Sequence, residues 1–383
     1  MAEIEEFLKK RADDGLLRRL RPASSRKAGR IYFGDKEYVD LSSNDYLGLS
    51  GHPALGEAAK EAIDRFGAGS SASRLLSGDL EIHHRLEDAV ARFKGKEKAL
   101  VFNSGYQANV GILSALYAEG DVIFSDKLNH ASIIDGIFLS GARIFRFLHN
   151  DTNHLESLLK RERHKFKKAL IVAETIFSMD GDRAPLNELV DLKERFDCCI
   201  MADEAHATGI YGKSGSGVVE KEGLTDRVDL VMGTFSKALG SFGAYLAASG
   251  SVIEYLINTC RSFIYSTGLP PAVIACNLAA LGLVKKEPHR RMELLGRAQY
   301  LRDALKGAGF EVRGSSQIVP VIIGESADAV RLAGALRDKG YWVLPIRPPT
   351  VPPKEARLRI SLTFHHDSQT LQRFIDAVSD AKI

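Results

Sequence analysis

Residues 168–209 read KALIVAETIFSMDGDRAPLNELVDLKERFDCCIMADEAHATG. KALIVAE and CCIMAD are short continuous apolar runs, and each ends on an acid, Glu174 and Asp203. The segment between them, LNELVDLKERF, repeats its apolar residues at helical spacing. A strand, a helix and a second strand in that order predict parallel strands joined by a crossover helix.

The same alternation extends in both directions. Upstream lie ALVF then YQANVGILSALY, DVIFS then ASIIDGIFL, and ARIFRF then TNHLESLLKRE. Downstream come DLVMG and FGAYLAA. Apolar strands without polar alternation belong to a sheet covered on both faces. The fold class is therefore α/β, with a mostly parallel seven-stranded sheet and helices on both faces. From Pro288 the pattern changes to a long helix, RRMELLGRAQYLRDALKGAG, followed by FEVRG, IVPVIIG, a helix, YWVLPI, ARLRISL and a last helix. This predicts a smaller α+β domain with an antiparallel sheet. Before the large sheet, an amphipathic helix (Ile4, Phe7, Leu8) and a strand pair, IYFGDKEYVDL, form an arm too small to fold alone. The expected division is an arm over residues 1–45, a large domain over 46–287 and a small domain over 288–383. The arm is expected to pack on the main body or on a second subunit.

The chain has 383 residues, 45% hydrophobic and 26% charged, with a net charge of +3. These values fit a soluble globular enzyme and give no footprint for nucleic acid. The basic run RRLR, Arg18 to Arg21, is short and reads by itself as a solvated helix end. Cys198, Cys199, Cys260 and Cys276 show no metal-ligand spacing and read as small buried apolar side chains in a reducing compartment. The N-terminus mixes acids and bases without a signal-type apolar core, and PAVIACNLAALGLV is too short to span a bilayer. A cytoplasmic protein without a membrane segment is expected.

Five stretches that follow strands are rich in Gly, Ser, His or Asp: NSGYQ, SDKLNHAS, ETIFSMDGD, DEAHATG and GTFSK. Ligands bind at the carboxyl ends of strands in open α/β sheets, so the five loops point to one site. Lys237 ends the last of them among small and hydroxylated residues, with no acid within several positions. Asp203, at the end of a buried strand, needs a cationic partner. A lysine and a buried acid so placed suit pyridoxal phosphate: the lysine forms the Schiff base and the acid keeps the pyridine nitrogen protonated. Thr234, Ser236 and Gly240 supply a hydroxyl and close backbone approach for phosphate. His206, in the Asp203 loop, can donate to the phenolic oxygen. Gly105 and Tyr106 open a helix after Ser104, a phosphate site by geometry.

His130 can stack on the ring; the blander reading is a capping loop with Asn129 as the cap. Ser178 lies after the strand ALIVAE, where it can contact cofactor or substrate. In the C-terminal part Arg347, Thr350, Arg357 and Arg359 stand out. Arg357 and Arg359 share one face of a strand, and one of them can hold a carboxylate. A solvated edge strand is the blander reading for that pair. No GxGxxG or Walker-type loop follows a strand, which argues against a nucleotide-binding protein. A non-catalytic α/β scaffold would be colourless and unchanged by borohydride.

The chain resembles the α-oxoamine synthases, fold-type-I pyridoxal phosphate enzymes that join an amino acid to an acyl thioester. The motifs are LSSNDYLGLS, NSGYQAN, LNHAS, ETIFSMDGD, DEAHATG, GTFSK, FIYSTGLPP, IRPPTVP and ARLRISLT, in this order along essentially the whole chain. The branch it most resembles condenses L-alanine with a pimeloyl thioester, on CoA or acyl carrier protein, in biotin synthesis. The resemblance implies pyridoxal 5'-phosphate on Lys237, Asp203 at the pyridinium nitrogen, His206 at the phenolic oxygen and His130 on the ring. It places Gly105, Tyr106, Ser178 and Thr234 around the cofactor. It makes Arg18, Asn44, His130, Arg347 and Thr350 substrate contacts, with Arg359 the α-carboxylate ligand. Ser266 and Thr267 would reach the phosphate of a neighbouring subunit, which implies a homodimer. The nearest alternatives are sibling activities on glycine, glycine C-acetyltransferase and 5-aminolevulinate synthase.

Overall fold

The structure, a computed structural model, describes residues 2–13 and 16–381. A helix over Ala2–Asp13 leaves Ile4, Phe7 and Leu8 exposed. Strands β1 (Ser25–Lys27), β2 (Arg30–Phe33) and β3 (Lys36–Asp40) then form an antiparallel meander, with β2 and β3 the expected strand pair.

The large sheet contains β4 (Lys98–Phe102), β5 (Val122–Asp126), β6 (Arg143–Phe147), β7 (Ala169–Glu174), β8 (Cys199–Asp203), β9 (Leu230–Thr234) and β10 (Ala244–Ala248). Their order is β4-β10-β9-β8-β7-β5-β6, with β10 antiparallel to both neighbours and the rest parallel. Successive side chains of a strand point to opposite faces. Ile171, Ile200 and Val231 accordingly join one core cluster, while Leu170, Val172, Met201 and Met232 join the other. Each strand feeds two cores at once, which is why its sequence is apolar without alternation. β5, β7, β9 and β10 are buried along their whole length and β8 from its second residue on, whereas β6, at the sheet edge, is half open.

The helices Pro271–Lys286 and His289–Gly307 are separated by Glu287 and Pro288. Beyond them lie β11 (Glu311–Val312), β12 (Ile318–Gly324), β13 (Tyr341–Trp342), β14 (Pro345–Ile346) and β15 (Ala356–Ser361). Four of these form an antiparallel sheet of order β11-β12-β15-β14. YWVLPI is thus two short strands rather than one. Its first half, β13, leaves that sheet and pairs in parallel with β3 of the N-terminal arm. β15 is a central strand and fully buried, so the solvated-edge reading of Arg357 and Arg359 is wrong. Cys199 is exposed at the start of β8, against the expectation of a buried thiol; Cys198 and Cys260 are buried. Among the described residues no helix is long and apolar enough to cross a membrane.

Candidate active site

All five loops converge. A cavity of about 190 Å³ at the carboxyl ends of the parallel strands is lined by Gly105 and Tyr106 after β4, His130 and Ser132 after β5, and Glu174 of β7. Asp203, Ala205 and His206 contribute from β8, and Thr234, Ser236 and Lys237 from β9.

Asp203 is buried and braced. Asn109 Nδ2 donates to its Oδ2 at 3.0 Å, and the Ala205 N–H donates to its Oδ1 at 2.9 Å. Asn109 also donates to Ser132 Oγ at 3.0 Å, which ties the Asp203 loop to the His130 loop.

Lys237 is half-buried against the cavity; its backbone carbonyl accepts from the Gly240 N–H at 2.9 Å, and its amine forms no hydrogen bond or ion pair among the described residues. Burial pushes its amine below the usual lysine range; Asp203 and Glu174 oppose that, and Arg359 reinforces it. A lysine weakened as a base is more often the free amine, the form that attacks a carbonyl.

His206 is buried, with Nδ1 2.7 Å from the Tyr46 hydroxyl. Its backbone carbonyl accepts from Gln317 Nε2 at 2.7 Å. Burial, with the charges of Lys237 and Arg359, drives the imidazole well below its ordinary range. It is neutral at physiological pH and has one proton to donate. His130 caps the helix Ala131–Ser140: its Nδ1 accepts from the Ser132 N–H at 3.2 Å and lies 2.8 Å from Ser132 Oγ. Asn129 is not the cap. Its amide turns inward and donates to Ser125 Oγ and to the Val172 carbonyl.

Thr234 is buried and its Oγ1 has no partner among the described residues. A Cβ at position 105 would stand 2.9 Å from Thr234 Cγ2, so glycine lets the first turn of the helix Gly105–Leu116 close on β9. Ser104 caps that helix by accepting the Gln107 N–H at 3.1 Å. Tyr106 is half-exposed, and its hydroxyl is held by Asp135.

Arg359 stands behind this group. Its Nε donates to the Ser178 carbonyl, Nη1 donates to Ser361 Oγ, and both terminal nitrogens lie 3.2 Å from Asn44 Oδ1. Asn44 Oδ1 is also 3.1 Å from the Tyr46 hydroxyl. A continuous polar chain therefore runs from Arg359 through Asn44 and Tyr46 to His206. Ser178 takes part through its backbone carbonyl.

The structure does not bring every expected residue to the cavity. Arg18 is exposed in the arm. Thr350 is exposed, Arg347 is half-buried, and neither lines the cavity. Ser266 and Thr267 line a separate cleft with Asn103 and Gln107, where Gln107 Nε2 donates to Ser266 Oγ at 3.0 Å. Among the residues of the site that were not singled out from sequence are Asn109, Tyr46, Ser132 and Ser361. Asn109 was findable as a lone amide on an otherwise apolar helix face.

A seven-stranded, mostly parallel sheet with a braced aspartate at the end of one strand and a free lysine after the next defines the fold-type-I class of pyridoxal phosphate enzymes. The profile of the family "Aminotransferase class I and II" matches residues 36–378, and the chain belongs to that family. A relative from Geobacter sulfurreducens, named 8-amino-7-oxononanoate synthase, is 50% identical over 370 residues, 96% of this chain and 94% of that protein. A serine palmitoyltransferase from S. paucimobilis, solved with a bound PLP-myriocin aldimine, superposes with a TM-score of 0.93 at 31% identity, over 99% of this chain and 96% of that one. An 8-amino-7-oxononanoate synthase from Francisella tularensis gives a TM-score of 0.77 at 28% identity, over 90% of this chain and 97% of its own.

Proposed function

We propose that this protein is a pyridoxal-phosphate-dependent C-acyltransferase that condenses L-alanine with a pimeloyl thioester. The products are 8-amino-7-oxononanoate, carbon dioxide and the free thiol. The observation that carries this reading is that Lys237, Asp203, His206 and Thr234 line one cavity of about 190 Å³. The substrate class comes from the 50% identity to the Geobacter sulfurreducens relative of that name.

The residues present fit the cofactor. Asp203 offers a braced carboxylate to a pyridinium nitrogen. Lys237 offers an unpaired amine, and His206 a neutral imidazole whose Nδ1 lies 2.7 Å from the Tyr46 hydroxyl. The unpartnered Thr234 hydroxyl and the capped N-terminus of the helix at Gly105 suit a phosphate. His130 presents its imidazole to the same space.

Pyridoxal phosphate, when bound, supplies an electron sink for negative charge at the amino acid Cα. The protein's part is to place groups around that carbon. Lys237, weakened as a base by burial, takes the Cα proton as a neutral amine and holds it for return. Asp203 is held in one orientation by two donors, Asn109 Nδ2 and the Ala205 N–H. Arg359 carries a fork that suits the substrate carboxylate, and in the resting enzyme Asn44 and Ser361 occupy it. Ser266 and Thr267 complete the phosphate site of a second subunit, and the enzyme works as a homodimer. Arg18, Arg347 and Thr350 meet the acyl donor once it is bound. The division into arm, large domain and small domain at residues 45 and 287 belongs to this reading.

The serine palmitoyltransferase likeness favours a second donor–acceptor pair, a long acyl thioester with serine. Identity is lower there, 31% against 50%, so the alanine reading is preferred. Steady-state assays crossing alanine, glycine and serine with pimeloyl, acetyl, succinyl and palmitoyl thioesters decide it. Alanine with the pimeloyl donor is expected to be the preferred pair by at least about tenfold in kcat/KM, as one extra contact group supports. Turnover of glycine with acetyl-CoA alone overturns the assignment.

A further inference from the structure

Glu174 closes β7 where Asp203 closes β8, and the two are cross-strand partners in the parallel register. Partners in register project to the same face, so two carboxyl groups stand side by side in the Lys237 cavity. They are treated differently. Asp203 receives two hydrogen bonds, from Asn109 and from the Ala205 N–H. Glu174 is 2% exposed, and its Oε1 has no partner among the described residues.

We propose that Glu174 is a further cofactor-contacting residue: it stays a neutral carboxylic acid and donates a hydrogen bond to the phenolic oxygen of bound pyridoxal, beside His206. The proposal rests on the pyridoxal reading of the site. Two adjacent buried carboxylates oppose each other's ionisation, and Glu174 is the one with an oxygen that no donor reaches among the described residues. The groups facing Glu174 agree. Asp203 on β8 and Asp126 at the end of β5 oppose its ionisation, while Lys237 and the His130 backbone N–H favour it less strongly than burial opposes it. Its carboxyl group is accordingly held well above the usual carboxylate range, chiefly by burial. A neutral acid in that position has one hydrogen to give, and Oε1 has no partner among the described residues. With pyridoxal phosphate bound, Asp203 would hold the ring nitrogen and Thr234 the phosphate, and the phenolic oxygen would be the acceptor left for Glu174.

The test compares the holoenzyme with E174Q and E174A. Infrared difference spectra of wild type minus E174Q at neutral pH are expected to show the carbonyl stretch of a protonated carboxyl. A carboxylate doublet in its place overturns the proposal. E174Q, which keeps a neutral donor, is expected to hold pyridoxal phosphate within about twofold of wild type. E174A is expected to weaken it about tenfold or more, the loss of a hydrogen bond to a charged acceptor. Equal weakening in both variants overturns the proposal, as does none in either. Neither measurement uses turnover. A failed substrate assignment leaves them intact, and absence of the visible cofactor band in wild type marks failure of the cofactor reading instead. Far-ultraviolet dichroism and gel filtration check that each variant is folded.

Discussion

Lys94 Nζ lies 2.6 Å from Glu204 Oε2, and both side chains are buried. The pair joins the end of the helix Glu81–Lys94 to the residue that follows Asp203. Lys94 also donates to Thr208 Oγ1 at 3.2 Å and to the Ser216 carbonyl, and the Val219 N–H donates to Glu204 Oε1 at 2.9 Å. The loop that carries Asp203 and His206 is therefore anchored from below by a desolvated ion pair. Removing one member leaves the other charge buried without its partner. E204L and K94M are each expected to cost about 3–5 kcal/mol in urea denaturation. The double variant K94M/E204L is expected to recover part of that loss. A double variant no better than the worse single one would show that the pair is not the anchor.

His149 ties two loops of the site together. Its Nδ1 lies 3.0 Å from Asp126 Oδ1 and its Nε2 2.7 Å from Asp182 Oδ2. Burial works against its charge, but the hydrogen bonds to Asp126 and Asp182 raise the imidazole to about 10. A folded value above the unfolded one, ~6.5, means that the stabilisation is complete below ~6.5 and disappears as pH rises through about 10. Denaturation midpoints of the wild type should fall across that window. H149Q should start lower and show a flatter dependence. Identical slopes for the two proteins would remove His149 as the cause.

Much of the large sheet was legible because its strands bury both faces and therefore carry unbroken apolar runs. The loops after them were legible because Gly, Ser, His and Asp stand out between such runs. What stayed hidden depends on partners distant in the chain. Arg357 looks like a surface arginine until Asp180, 177 residues earlier, places a carboxylate 2.6 Å from its Nη1. Tyr46 sits in the apolar-looking run DYLGLS, and only folding brings its hydroxyl to His206, 160 residues away. The cap of the helix Ala131–Ser140 fell to His130 rather than Asn129 because Asn129 found better-buried acceptors on β5 and β7. YWVLPI reads as one strand because no local signal says that its halves belong to different sheets.

Asn109 braces Asp203, so its amide matters at one remove from the chemistry. N109A takes one of two donors from a buried carboxylate. Loss of a hydrogen bond to a charged group costs about 1.5–3 kcal/mol. The apoprotein is expected to lose stability of that order, and pyridoxal phosphate affinity is expected to fall by roughly tenfold as the Asp203 carboxylate loses one of the two bonds that orient it. Equilibrium dialysis followed at the visible cofactor band measures the second effect. Full retention of affinity in a folded N109A would mean that the Ala205 N–H alone suffices.

Arg359 spends its fork on Asn44, Ser361 and the Ser178 carbonyl in the resting enzyme. Lysine at this position keeps the positive charge that helps depress Lys237 and His206, but it has neither the planar fork nor the reach to all three partners. The two functions of the arginine can thus be separated. R359K is expected to raise KM for L-alanine by about tenfold or more, the worth of a bidentate carboxylate contact, with a smaller change in kcat and an unaltered cofactor band. R359A removes the charge as well, so the pH at which Lys237 gains its proton should move upward in that variant and not in R359K. Titration of the Lys237 amine in the apoprotein by pH-dependent acylation, alongside KM for alanine in the holoenzyme, separates the two variants. An R359K enzyme with wild-type KM would take the α-carboxylate away from Arg359.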